Sequence, residues 1–148
     1  MSEPIEIPAD AERTEITAFV VASTDAVWQL FTTPAGLAEW WWPQFDDAQY
    51  EVDLQEGGMY RFRTATGGFG VQGRYLQLDE RKRIVQTWDW LGGGEELQGE
   101  EQLVIIELRE TGDGTLVHVT QTGPLDELDD LRDGWQDTLT RLEEHFDD

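Results

Sequence analysis

The chain of 148 residues has no cysteine, one lysine (Lys82), two histidines and no long apolar run. Without cysteine there are no disulfide frameworks, thiolate metal sites or cysteine nucleophiles. With only His118 and His145, neither beside a ligand-spaced partner, no metal site is expected, and no cofactor is implied. Residues 18–22 and 103–106 are the longest apolar stretches, far below the ~20 residues of a spanning helix. Met1-Ser2-Glu3-Pro4 lacks the basic and apolar regions of a signal peptide, so a soluble, cytoplasmic protein is expected. Neither a GxSxG elbow nor a Walker sequence occurs. Gly67-Gly68-Phe69-Gly70 lies between extended runs rather than at a helix start, which fits a hairpin turn and not a phosphate cradle.

Positive charge is scarce too. Thirty-two acids against ten bases give a formal charge of −22, which repels nucleic acid and anionic membranes at ordinary salt, so neither partner is expected. The acids are spread along the whole chain, and nine of the ten bases are arginine. That distribution suggests adaptation to high salt, since the Debye length falls to ~3 Å at molar ionic strength and screens such a surface. Pairs such as Asp46-Asp47, Glu95-Glu96, Glu100-Glu101, Asp129-Asp130 and Asp147-Asp148 are then expected on solvated surface, with no acid/base role from adjacency alone.

With 39% hydrophobic residues and 15 glycines, the composition is that of a globular chain, and its length fits one domain of roughly 100–200 residues. Residues 1–12, polar and carrying Pro4 and Pro8, are expected to form a flexible N-terminal arm, and 13–148 a single domain. Residues 14–22 are rich in β-branched side chains and predict a strand. Ser23 and Thr24 supply an N-cap ahead of Ala26, Val27, Leu30 and Phe31 at helical spacing. Thr33-Pro34 repeats the start signal before GLAEWWW, which Pro43 stops. Strands are expected near 50–54, 59–64, 71–78, 84–90, 103–109 and 116–122, separated by glycine-rich or charged turns, Gly92-Gly93-Gly94 among them. Short connections favour an antiparallel meander. From Asp126 to Phe146, Leu128, Leu131, Trp135, Leu139, Leu142 and Phe146 recur at spacings of 3 or 4, a long amphipathic helix. Gly134 inside that helix costs ~1 kcal/mol relative to alanine and suggests that another backbone or a cavity takes the space.

This order describes an α+β helix-grip (START-like) fold: a seven-stranded curved antiparallel sheet around a long C-terminal helix, with two short helices after the first strand. The segment ASTDAVWQLFTTPAGLAEWWW at 22–42 resembles the opening of the heat-shock protein 90 ATPase activator homology family, within the START-like, polyketide cyclase and Bet v 1-like superfamily. Glu56-Gly57-Gly58 with Tyr60 and Phe62, Gly73-Arg74-Tyr75 with RIVQTW at 83–88, and Gly134-Trp135 with Leu139 and Leu142 resemble later parts in the same order. The resemblance spans about residues 14–146. Gln86 stands where relatives often carry an aromatic or aliphatic residue and Gln121 where histidine is common, so a cavity reached by both would be more polar than usual.

Three functions follow. The first is a non-enzymatic module holding a small apolar or aromatic ligand in a cavity between sheet and last helix, lined by Phe31, Phe62, Tyr75, Trp88, Gln121 and Trp135. The family name implies a second, docking on a chaperone ATPase partner. The superfamily's cyclases and dehydratases imply a third, with Tyr75, Gln121, Arg74 or Asp89 as candidate groups, although no motif assigns a catalytic residue. The run Trp40-Trp41-Trp42 adds a local signal: at ~100° per residue three indoles cannot share one helix face, so Trp41 and Trp42 are candidates for a lid or docking patch.

Overall fold

The computed structural model describes residues 6–42, 45–91 and 97–146, with the side chains of 97–101 left aside. Gly92-Gly93-Gly94, Glu95-Glu96 and Asp147-Asp148 lie outside the described residues. The elements run β1 (Arg13–Val20), α1 (Thr24–Thr32), α2 (Pro34–Trp40), β2 (Gln49–Val52), β3 (Met59–Thr64), β4 (Phe69–Asp79), β5 (Arg83–Leu91), β6 (Leu97–Glu110), β7 (Thr115–Thr122) and α3 (Leu128–His145). One 3-10 turn, Leu125–Glu127, leads into α3.

All seven strands form one antiparallel sheet in the order β1-β7-β6-β5-β4-β3-β2. Consecutive strands pair from β2 to β7, as short connections require, and β1 closes the far side against β7. The covered face carries Ile16, Ala18, Val20, Ile106, Leu108, Val117 and Val119, each buried, with strand partners such as Ile16↔Val119 and Ile106↔Val119 in register. Glu107 and Arg109 alternate out to solvent, as period-two patterning demands. Burying Trp135, Leu139 and Leu142, α3 lies on the covered face, with β1 as its principal neighbour. On the opposite face a smaller cluster buries Ile7 of the arm against Val85 and Ile105.

Turn chemistry sets the hairpins. Gly57 has φ +87°, and a Cβ on Gly58 would lie 2.1 Å from the Asp53 carbonyl oxygen, so the β2–β3 turn needs glycine at both places. That turn is tied to β4, the Gly57 amide donating to the Tyr75 carbonyl at 2.7 Å and the Tyr75 amide to that of Gly58 at 2.9 Å. Helix starts follow the capping rules: Ser23 Oγ accepts from the Ala26 amide and Thr33 Oγ1 from the Gly36 amide. No helix among the described residues is long and apolar enough to cross a membrane.

Candidate functional site

The tryptophan run is where the two short helices meet the sheet. Trp40, the last residue of α2, packs edge-on against Phe31 of α1 at 5.0 Å and donates its indole N–H to the Leu30 carbonyl at 2.9 Å. Trp41 turns the other way, contacting Phe62 of β3, Trp88 of β5 and Trp135 of α3 at centroid distances of 5.5, 6.2 and 5.5 Å. Half-buried Trp42 reaches Tyr50 and Phe69. The indoles do diverge around the helix axis, but α2 is wedged between α1 on one side and the sheet with α3 on the other. Both Trp40 and Trp41 therefore find cover, at 1% and 5% exposure.

The carbonyls ending α2 have no partners within the helix. Arg141 of α3 supplies them, donating from Nε to the Trp40 carbonyl at 3.2 Å and from Nη2 to the Trp41 carbonyl at 2.6 Å, where a cation also suits the helix dipole. Partial burial lowers the Arg141 pKa, opposed by the neighbouring Asp137 charge and by Tyr50. Tyr50 in turn accepts from the Trp42 amide, and burial raises its phenol pKa.

Beside this junction, between sheet and α3, lies a cavity of about 250 Å³. Its aromatic wall is Trp41, Trp42, Phe69, Trp88, Trp90 and Trp135, with Gln121 among them. The side given by α3 holds Asp130, Leu131, Gly134, Asp137, Thr138 and Arg141. Gln121 is 1% exposed and engaged at both ends of its amide: Nε2 donates to Gln102 Oε1 at 2.5 Å, and Oε1 accepts from Trp135 Nε1 at 2.6 Å. Gly134 is exposed and contributes to the cavity's lining, and a Cβ added there would meet no atom within 4 Å, so no other backbone takes its space. Trp41 and Trp88 differ from Trp40 and Trp135 in that their buried indole nitrogens have no acceptor among the described residues.

Trp88, Gln121 and Trp135 thus come together on one cavity wall with Trp41 and Trp42. Phe31, Phe62 and Tyr75 are buried elsewhere: Phe31 under Trp40, Phe62 between Trp41 and Tyr60, and Tyr75 beside Tyr60 at 5.4 Å. Burial raises the Tyr75 pKa, keeping its phenol neutral. Gln86 is buried opposite Tyr75, whereas Arg74 is exposed and Asp89 half-buried, so these polar candidates do not converge with Gln121 on the cavity. His118 bridges Thr17 and Glu15 at the surface. No group of three metal-ligating side chains occurs among the described residues. Sequence reasoning missed Phe69 and the polar α3 stripe. That stripe was signalled by Asp130, Gly134, Asp137 or Thr138, and Arg141 at spacings of 3 or 4, just beside the apolar one.

A helix-grip sheet with an aromatic cavity under its last helix defines the class of protein. Residues 21–147 match the family described as Activator of Hsp90 ATPase homolog 1-like protein, and the chain belongs to that family. Among solved structures it is similar to DynU16 of the dynemicin biosynthetic locus, with 23% identity and a TM-score of 0.76 over 90% of this chain. The match spans 46% of DynU16, so this chain is about half its length. CalU16 from Micromonospora echinospora is similar at 26% identity and a TM-score of 0.70, over 95% of this chain and 80% of that one. CV1439 from Chromobacterium violaceum is similar at 22% identity and 0.72, over 93% and 98%. These likenesses are of fold. No curated protein matches the sequence significantly.

Proposed function

We propose that the protein is a non-enzymatic small-molecule carrier or sensor that holds an apolar or aromatic ligand between the sheet and α3. One observation carries this reading: a half-open cavity of about 250 Å³ between sheet and α3, with five tryptophans among its lining residues. Ligand sites are typically apolar enclosures with few polar groups, and a cavity of this size suits a small ring system. Trp88, Gln121 and Trp135 form the inner wall and Trp42, beside Phe69 at the rim, serves as the lid. The polar side chains here support binding over chemistry, because Gln121 and Arg141 already hold the fold together. The acid excess further supports a protein that works at high salt.

Native mass spectrometry of protein from its own host at high salt, followed by extraction, is expected to release a stoichiometric small apolar compound. The same compound is expected to raise the melting temperature and to change tryptophan fluorescence. Gly134→Leu, which projects a side chain into the open space, is expected to abolish both effects while the domain still folds. A wild-type protein without such a compound, or a Gly134→Leu variant that binds it unchanged, overturns the reading.

A further inference from the structure

Of the buried indoles at the junction, Trp40 and Trp135 have acceptors, the Leu30 carbonyl and Gln121 Oε1. Trp41 and Trp88, 5% and 3% exposed, have none among the described residues for their Nε1–H groups. Both residues line the cavity, and their rings lie 6.2 Å apart. Buried donors are normally paired, and an exception calls for an explanation. An indole nitrogen only donates, so what the pair lacks is an acceptor. With almost no accessible area, the two nitrogens are reached neither by bulk water nor from the cavity until the rings shift. A carbonyl oxygen offers two lone pairs and can serve both. Charge narrows the class: Asp130, Asp137 and Arg141 line the cavity together, two carboxylates to one guanidinium whose donors already serve the Trp40 and Trp41 carbonyls, so an anionic guest meets a net negative wall. The rings lining the cavity meet one another edge-on or tilted, and an aromatic guest would pack on them by the same preference.

We propose, building on the binding function above, that the occupant is a neutral aromatic carbonyl compound, an aryl ketone or quinone-like ring. Its oxygen takes the Trp41 and Trp88 N–H groups as the indoles re-pack around it. The test uses two probes of nearly equal size and shape, 1-indanone and its hydrocarbon indane, against the full chain labelled with ¹⁵N at tryptophan. The ketone is expected to move the Trp41 and Trp88 indole protons downfield, and indane is not. The affinity ratio of ketone to hydrocarbon is expected to fall about three- to tenfold in Trp88→Phe and in Trp41→Phe, the effect of one hydrogen bond. If both probes bind and neither the indole shifts nor the ratio distinguishes them, the carbonyl assignment falls and the cavity reading stands. If neither probe binds, the cavity reading falls with it. Should a phenylalanine variant fail to fold, the wild-type indole resonances decide the matter.

Discussion

Gln121 joins the sheet to α3 through two hydrogen bonds, accepting from Trp135 and donating to Gln102. Replacing it with leucine keeps the volume but strands the buried Trp135 N–H and Gln102 oxygen without partners. Because an orphaned buried polar group costs ~1–3 kcal/mol, Gln121→Leu is expected to lose about 2–4 kcal/mol in urea unfolding. Gly134 makes the opposite case. With nothing within 4 Å of an added Cβ, Gly134→Ala relieves the entropic cost of glycine in a helix and is expected to gain about 0.5–1 kcal/mol. The same methyl narrows the cavity and weakens ligand binding, so calorimetry and unfolding should move in opposite directions. Arg81, at φ +65° in the β4–β5 turn, is the one described non-glycine residue in the left-handed region. Arg81→Gly is expected to raise the melting temperature, the relieved backbone strain of ~1 kcal/mol outweighing the weak exposed contact to Asp25.

At the scale of elements, α2 is held at both ends by side chains. Thr33 ends α1 and begins α2, its hydroxyl donating to the Gln29 carbonyl and accepting from the Gly36 amide, and Arg141 covers the far end. Arg141→Met preserves the aliphatic stem and leaves two α2 carbonyls unmet. A loss of about 1.5–3 kcal/mol, as for hydrogen bonds to a charged donor, is expected, with Trp41 and Trp42 more exposed to fluorescence quenchers. Asp47 does comparable work for the loop before β2, accepting from Thr64 Oγ1 at 2.8 Å and from the Thr66 amide at 2.9 Å. These bonds, that of the Thr66 amide foremost, hold its pKa below the ordinary 3.8. A depressed carboxylate stabilises the fold above 3.8 and loses that contribution as pH falls through its lower folded value. Acid titration is therefore expected to release the Thr66 amide from hydrogen-exchange protection below that pH. The helix starts at Ser23 and Thr33 were legible because a cap is read from neighbouring residues. Arg141 was not: it lies 100 residues from Trp41 along the chain, and nothing in its vicinity in sequence marks its partner.

For the whole molecule, a charge of −22 on 148 residues opposes the compact state through long-range repulsion. Raising NaCl from 0.1 to 2 M shortens the Debye length from ~10 Å to below ~3 Å. A higher melting temperature is expected, by about 2–4 °C for each kcal/mol of repulsion relieved in a chain of this size. A flat or falling curve would remove the argument for a high-salt setting.

What the sequence determined by itself was the order and type of the elements, the antiparallel sheet and the apolar face of α3, because periodicity and turn residues act over a few neighbours. It also marked Gly134 as a position where space is kept. Only the tertiary structure decided which aromatics meet. Phe31, Phe62, Trp88 and Trp135 look alike as inward-facing residues, yet Phe31 packs on Trp40, Phe62 on Trp41, and Trp88 and Trp135 line the cavity. The angle at which α2 enters between α1, the sheet and α3 makes that difference. It is set by long-range contacts such as the Arg141 bonds, which no local spacing encodes.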